Sequence, residues 1–553
     1  LPIGGEMKKF NKIIKFINIG LLVFSLLIPL ALFLNRFLIP DVSYDSLNYH
    51  LFLGQRGIDK QNIPYEFYPT GMHNFSPILE VPGYLATKLF GYRVGSITSL
   101  IFLYLSIFIL YKIFKLYEPK IKLLDKWWLT FFFVSSFLSF EAFLQIATFY
   151  VDIEVAFLSL LSFYFLLKYE KKSYFIDLVF SAVFLGILFL GKLTGAYYLV
   201  TYFIYLAYVL VNDSKIDWRQ RIMKFLLSGL IVISFSLPFW YKNYLNTKNP
   251  VYPYYNNIFK SNLYPTKYFT QDKSGPDNTF EKLFWGVVSI KKPEKLGQVH
   301  DLFHDYKINI YFILIIFVLI WSLIKKDRDL IKLSIFYFAT YEIWAWVFGY
   351  LRYAIFLEFM GGIILLIWLS RLKGWTKYLI IGPLFFIMLL QGKRIVNLSL
   401  AYDISFRPGY FYNRLSYPKQ WEYFGNKKIS VDEKYLNEFQ PQVFLNCASP
   451  NMSYYTLSDF NKLPVLNIDR RAYSEMTGNK LFVDIQKEWL SKIVKGNTVK
   501  FVTIAAETGL NNFYLDCKAN IISRGYTILT EVDSNFLGYE GQRLKVIFGE
   551  FNW

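Results

Sequence analysis

The chain has 553 residues, of which 54% are hydrophobic, 20% aromatic and only 18% charged, with a formal charge of +19. That apolar content, with a mean hydropathy of +0.30, all but excludes a soluble protein and places the chain among polytopic membrane proteins. The positive charge does not signal a nucleic-acid groove, because the lysines sit in short clusters between apolar runs, the footprint of loops facing anionic lipid.

In chain order, the first six residues, LPIGGE ahead of Met7, read as an appended leader and are set aside. Apolar windows of about the length that crosses a bilayer core fall at 14–37, 95–115, 127–146, 153–168, 175–191, 196–211, 224–240, 308–324, 330–348, 354–370 and 377–391. These predict about eleven transmembrane helices. Basic residues collect at the N-terminus and in 112–126, 168–172, 215–224, 325–332 and 371–377, which the positive-inside rule assigns to the cytoplasm. The alternate loops are then extracytoplasmic: 38–94, the turn 147–152, Lys192, the long loop 241–307, Arg352 and everything after 392. The tail changes texture. Apolar clusters such as QVFLN, VKFVTIAA and LKVIF alternate with helical stretches such as 484–494, where Ile485, Trp489 and Ile493 recur at helical spacing. The chain thus divides into a transmembrane module, 1–392, with outer loops 38–94 and 241–307, and a soluble extracytoplasmic α/β domain, 393–553. In an oxidising space Cys447 and Cys517 either pair or remain two buried thiols.

The first outer loop is the polar anomaly. It carries Asp41, Asp45, His50, Glu66 and His73 directly after an apolar span, and ionisable groups at a membrane are costly enough to ask for a chemical reason. All four histidines (His50, His73, His300, His304) lie in outer loops, as do Asp152, Glu154, Lys192, Lys242 and Arg352. A transporter places such groups nearer the midplane, often in repeated halves, and no internal repeat is visible.

Short segments of these loops match known motifs in order. The run DSLNYHL (45–51), followed by YPT (68–70), resembles the D-x-L-x-Y-H-L loop of bacterial GT-C superfamily glycosyltransferases. PFWYKN (238–243) with KNPVYP (248–253) is similar to their P-W-x-x-R-N … G-N-P-x-Y-P segment, with Lys242 where arginine is usual and Lys248 where glycine is usual. YLRY (350–353) resembles their R-Y at the outer start of a late span, and YVD (150–152) stands where the family has a second acidic residue. The resemblance covers about residues 10–390 and implies a GT-C fold in a bacterial inner membrane. It also implies an inverting enzyme that moves a sugar from a polyprenyl phosphate or pyrophosphate to an acceptor glycan, lipid or protein on the extracytoplasmic face. No cofactor is certain; a divalent metal is possible.

Such chemistry needs a carboxylate to take the acceptor's proton and cations beside the leaving phosphate. Asp45 is the expected base, on an amphipathic helix from Tyr44 to Leu53, with Asp41 read as its N-cap. Asp152 is expected to orient the acceptor or help bind a metal, and Glu154, two residues on, to face away from it. Arg352 is the favoured phosphate ligand because its planar fork suits phosphate oxygens, supported by Lys192, Lys242, His50 and Tyr49. The bland alternative for Arg352 is snorkelling to the interface. GKLTG (191–195) lacks the first glycine of a phosphate loop and is rejected as a nucleotide site. His300 and His304 have metal-ligand spacing but no evident third ligand. Two other classes stay open: a lipid-linked-sugar flippase or transporter, and an O-antigen-type polymerase or ligase. Convergence of Asp45, Asp152 and Arg352 on one outer site is the feature that discriminates among them.

Overall fold

Each of the eleven apolar windows holds helix, the conformation in which an apolar segment satisfies its backbone groups by itself. The computed structural model describes residues 3–38, 45–59, 75–261, 275–296, 305–405, 431–447, 458–460, 463–468, 491, 496–507, 513–537 and 543–552. Seven helices are long and apolar enough to cross a membrane unaided: Lys12–Leu34, Tyr92–Tyr117, Leu193–Asn212, Trp218–Thr247, Lys307–Lys325, Leu351–Arg371 and Lys377–Asn397. Of the four other windows, two hold the full-length helices Asp152–Lys172 and Arg328–Val347, which carry more charge. The remaining two hold the shorter helices Phe175–Gly191 and Trp127–Phe137. The 127–146 window is broken at Leu138, after which Ser139 caps the short helix Phe140–Leu144 by accepting a hydrogen bond from the Ala142 backbone N–H.

The helix Ile355–Arg371 is the centre of the bundle: 89% of its apolar window is buried, against 17% for Trp218–Thr247, whose leucines and isoleucines point outward as lipid-facing groups do. Close packing around the central helix relies on glycine. A Cβ on Gly362 would come within 2.4 Å of the Ser136 Cα, so the helices Ile355–Arg371 and Trp127–Phe137 touch backbone to backbone.

Charges separate to the two ends of these helices. At one end Arg371 holds Glu118 at 2.7 Å and Asp327 at 2.6 Å, Lys171 holds Asp329 at 2.9 Å, and Lys332 pairs with Glu170. These residues come from four of the segments predicted to be cytoplasmic. Asp152 and Arg352 start the segments that end at Lys172 and Arg371, and 21 residues of helix at 1.5 Å each span about 30 Å. The chain is a multi-pass membrane protein with distinct polar ends.

The last long helix, Thr376–Ser405, runs past residue 392, so the expected boundary falls inside it: Lys393 and Arg394 end the apolar run without breaking the helix. Beyond it lies a five-stranded sheet in the order β2-β1-β3-β5-β4, formed by β1 (Val443–Asn446), β2 (Val465–Asn467), β3 (Thr498–Glu507), β4 (Thr527–Leu537) and β5 (Arg543–Asn552). β1 pairs in parallel with β2 and β3, while β5 pairs antiparallel with both β3 and β4. The three apolar clusters singled out in the tail are β1, β3 and β5. Val443, Leu445, Val499, Phe501 and Ile547 form a core with Ile521 of the helix Phe513–Ser523, and a Cys447–Cys517 disulfide fastens that helix to the end of β1. Residues 484–490, with Ile485 and Trp489, and Ile493 lie outside the described residues.

Candidate active site

Asp45 is followed by a π-helical turn, Ser46–His50, closed by a hydrogen bond from the Leu51 backbone N–H to the Ser46 carbonyl, before the α-helix Leu51–Ile58 begins. The uniform α-helix expected here would set Asp45 and His50 about 140° apart at 3.6 residues per turn. The wider turn draws Asp45, Tyr49 and His50 toward one neighbourhood, and such single π turns recur at functional sites. The Ser46 hydroxyl anchors the turn by accepting a hydrogen bond from the Phe149 backbone N–H at 3.3 Å, which sets it beside the segment leading to Asp152.

Three breaks between helices supply the rest. Asp152 sits in the first turn of Asp152–Lys172, where the helix dipole favours a negative charge. Lys192 lies in the extended residue after Phe175–Gly191. Arg352 lies in the 3₁₀ turn Leu351–Ala354, which is held by a hydrogen bond from Trp344 Nε1 to the Tyr350 carbonyl at 3.1 Å and one from the Tyr197 hydroxyl to the Tyr353 carbonyl at 2.8 Å.

These residues meet. Arg352 Nη1 donates to Asp45 Oδ2 at 2.9 Å, Arg352 Nε lies 3.1 Å from Asp152 Oδ2, and Lys192 Nζ pairs with Asp152 Oδ1. Two carboxylates and two cations thus alternate, joined through one guanidinium. Their side-chain exposures differ usefully: 23% for Asp45, 15% for Arg352 and Lys192, and 2% for Asp152. Asp45 is therefore the more accessible of the two carboxylates, and Asp152 is the buried one that pairs with both cations. Tyrosine rings enclose the guanidinium, with Tyr150, Tyr353 and Tyr350 at 4.9, 5.4 and 5.7 Å, and Lys192 lies 5.1 Å from the Tyr353 ring. Snorkelling does not describe an arginine held by two acids and three rings.

Tyr49 and His50 are buried beside this cluster. Burial, reinforced by the Asp45 charge, pushes the Tyr49 phenol well above its ordinary range, so it stays protonated and able to donate. Burial, then the Lys192 and Arg352 charges, push the His50 imidazole well below its ordinary range, which keeps it neutral. Lys242 stands apart: it is exposed near the end of Trp218–Thr247, and among the described residues no ion pair joins it to the cluster. The segment after it is a structural turn. The Asn249 side chain donates to the Tyr254 carbonyl at 2.9 Å and accepts from the Val251 N–H at 3.0 Å. Lys248, where a glycine is usual, adopts φ of +60° as the helix terminates.

Sequence reasoning missed Glu80, which lies 3.1 Å from His50 Nδ1, and a buried group around Lys307, whose ammonium donates to the Ser136 carbonyl at 3.3 Å and lies 3.7 Å from Glu358 Oε2. Glu80 had only a weak signal, an acid just before the Val81–Phe90 helix. Glu154, expected to face away from Asp152, is buried as well. Asp41, Glu66, 68–70, His73, His300 and His304 lie outside the described residues. Among the described residues no group of three or more His, Cys, Asp or Glu side chains is arranged to hold a metal ion, and the Arg352 guanidinium already bridges the two carboxylates.

No protein-family model and no curated protein matches the chain. Solved structures do. ArnT from Cupriavidus metallidurans in the apo state superposes with a TM-score of 0.53 at 12% identity, covering 96% of this chain and 98% of that one. The same protein bound to undecaprenyl phosphate gives 0.51, again at 12% identity and with the same coverage. The archaeal oligosaccharyltransferase AglB from Archaeoglobus fulgidus, in complex with an inhibitory peptide and a dolichol-phosphate, gives 0.47 at 13% identity, over 88% of this chain and 69% of that one. ArnT is a GT-C glycosyltransferase, and the match runs over nearly all of both chains. The chain therefore has the GT-C fold.

Proposed function

We propose that this protein is an inverting glycosyltransferase that takes a sugar from a polyprenyl phosphate or pyrophosphate, with Asp45 as general base. The observation that carries the reading is the Asp45–Arg352–Asp152–Lys192 array at the helix ends. The binding of undecaprenyl phosphate by ArnT, whose fold this chain shares, supports a lipid-linked donor. The donor phosphate competes with Asp45 for the Arg352 fork, which suits phosphate oxygens in two-point contact. Binding of the donor thus frees Asp45. The acceptor oxygen then attacks the anomeric carbon and the carbon–oxygen bond to phosphate breaks. The phosphate leaves with the electron pair and Asp45 takes the acceptor's proton. Negative charge growing on the leaving phosphate is met by Arg352 and Lys192, while Asp152 holds both in place. Clustering at the helix ends, not at the midplane, weighs against a transporter.

The active face is read as extracytoplasmic in a bacterial inner membrane. The opposite end carries the basic loops, and the Cys447–Cys517 disulfide suits an oxidising space. A reporter fused after Trp553 should be active only if it works outside the cytoplasm; cytoplasmic activity there would overturn the placement. Mass spectrometry of lipids co-purified with the protein should find a polyprenyl phosphate or its glycosylated form. Depletion of such lipids relative to an unrelated membrane protein from the same preparation counts against the donor assignment.

A further inference from the structure

His50 and Glu80 form a buried pair behind the array, and the pair is only half used. His50 Nδ1 and Glu80 Oε1 are 3.1 Å apart, with side-chain exposures of 1% and 6%. The other ring nitrogen, Nε2, has no hydrogen-bond partner within the protein among the described residues. Buried polar atoms left in this condition are uncommon and costly, so each asks for a role. The ring lies tilted against Tyr49, with centroids 4.2 Å apart, and 5.7 Å from Tyr150, the tyrosine that faces Arg352.

Two proton arrangements fit the short contact. In one, an ionised Glu80 accepts from Nδ1–H and leaves Nε2 bare. In the other, a protonated Glu80 donates to Nδ1 and leaves Nε2 carrying a hydrogen. Burial is the first influence on Glu80 and lifts it to about 8, against the opposing charges of Lys192 and Arg56 and with help from Asp152; His50 is held neutral by burial and by Lys192 and Arg352. With both groups uncharged at neutral pH, the second arrangement is the one the surroundings favour, since a carboxylic acid kept neutral by an apolar site can act as a hydrogen-bond donor.

From this geometry we infer that Glu80 is a positioning residue: it donates to His50 Nδ1 and commits Nε2–H as a hydrogen-bond donor to the phosphate oxygens of the lipid-linked donor. The inference rests on the reading of the array as a donor-phosphate site and adds a residue and a tautomer to it. The neutral imidazole then supplies directionality without adding a third cation to the two already balanced against Asp45 and Asp152.

The test is 15N NMR of the full chain, labelled on histidine and reconstituted in nanodiscs, with His50→Asn used to assign the resonance and undecaprenyl phosphate as the probe. The expected result is a protonated Nε2 and bare Nδ1 near pH 7, with the Nε2 signal moving on addition of undecaprenyl phosphate. Glu80→Gln keeps an N–H donor, and should keep both the tautomer and the affinity. Glu80→Leu should mix the tautomers and weaken undecaprenyl phosphate binding by about tenfold, the usual cost of a lost hydrogen bond to a charged group. A bare Nε2 in the wild type overturns the inference, as does a Glu80→Leu protein with unchanged tautomer. If Glu80→Leu does not fold, the wild-type spectrum still decides the tautomer. Wild-type protein that holds the expected tautomer but binds no undecaprenyl phosphate overturns instead the donor-site reading, and with it the role given to Nε2–H.

Discussion

Asp45→Asn separates the two jobs given to this side chain. The substitution keeps size and shape but cannot accept the acceptor's proton, and general-base catalysis contributes about 10² to 10⁴ in rate, or about 3 to 5 kcal/mol of barrier at 1.36 kcal/mol per decade. The effect on donor binding has the opposite sign. Asp45 is bonded to Arg352 at 2.9 Å and competes with donor phosphate for it. The pair is partly exposed, at 23% and 15%, so its loss is worth about 1 kcal/mol at most, which would tighten phosphate binding by up to about fivefold. Turnover with purified lipid-linked donor and acceptor should therefore fall at least a hundredfold, while undecaprenyl phosphate binds as well as before or better. Near-normal turnover in Asp45→Asn would falsify the assignment of the base. Weaker phosphate binding would refute the competition between Asp45 and the donor, and Asp152→Asn would be the next variant to assay.

Arg352→Ala should abolish measurable undecaprenyl phosphate binding, and Arg352→Lys should restore only part of it, because one ammonium cannot span Asp45, Asp152 and a phosphate together; a calorimetric titration of both variants decides the point. The stability of the pure protein in detergent should fall as pH rises between about 6.5 and 8. There Glu80, lifted from 4.5 to about 8, binds a proton in the folded state that the unfolded chain has lost, whereas His50, depressed from 6.5, acts only below that pH and with opposite sign. Glu80's share of the slope is at most about 1.4 kcal/mol per pH unit, and a profile in Glu80→Gln as steep as the wild type's would show that other groups are responsible. Gly362→Ala should lower thermal stability by about 1 to 3 kcal/mol, because its Cβ meets the Ser136 backbone, whereas Gly382→Ala, with nothing within 4 Å, should leave the melting temperature nearly unchanged. Equal melting temperatures for the two variants would refute the tight helix contact.

What the sequence determined by itself is whatever depends on composition, length and order along the chain. Long apolar windows must be helical in hydrocarbon, so their approximate positions could be read from the sequence, and lysine clusters grouped together loops that meet at one charged end of the bundle. Asp45, Asp152, Lys192 and Arg352 were legible as candidates because each interrupts an apolar region at a helix end, where a charge is costly without a purpose. Lys242 carried the same signal and does not join them: position next to a span says nothing about which way a helix turns in the bundle. Tertiary structure alone decided which charges pair with which. The contact between Asp45 and Arg352 spans 307 residues of sequence and that between His50 and Glu80 spans 30, and no residue pattern announced the π turn that carries Tyr49 and His50. Helix packing, set by close approaches such as Gly362 against Ser136, brings these distant helix ends together, and only there does a row of separate charges become a site.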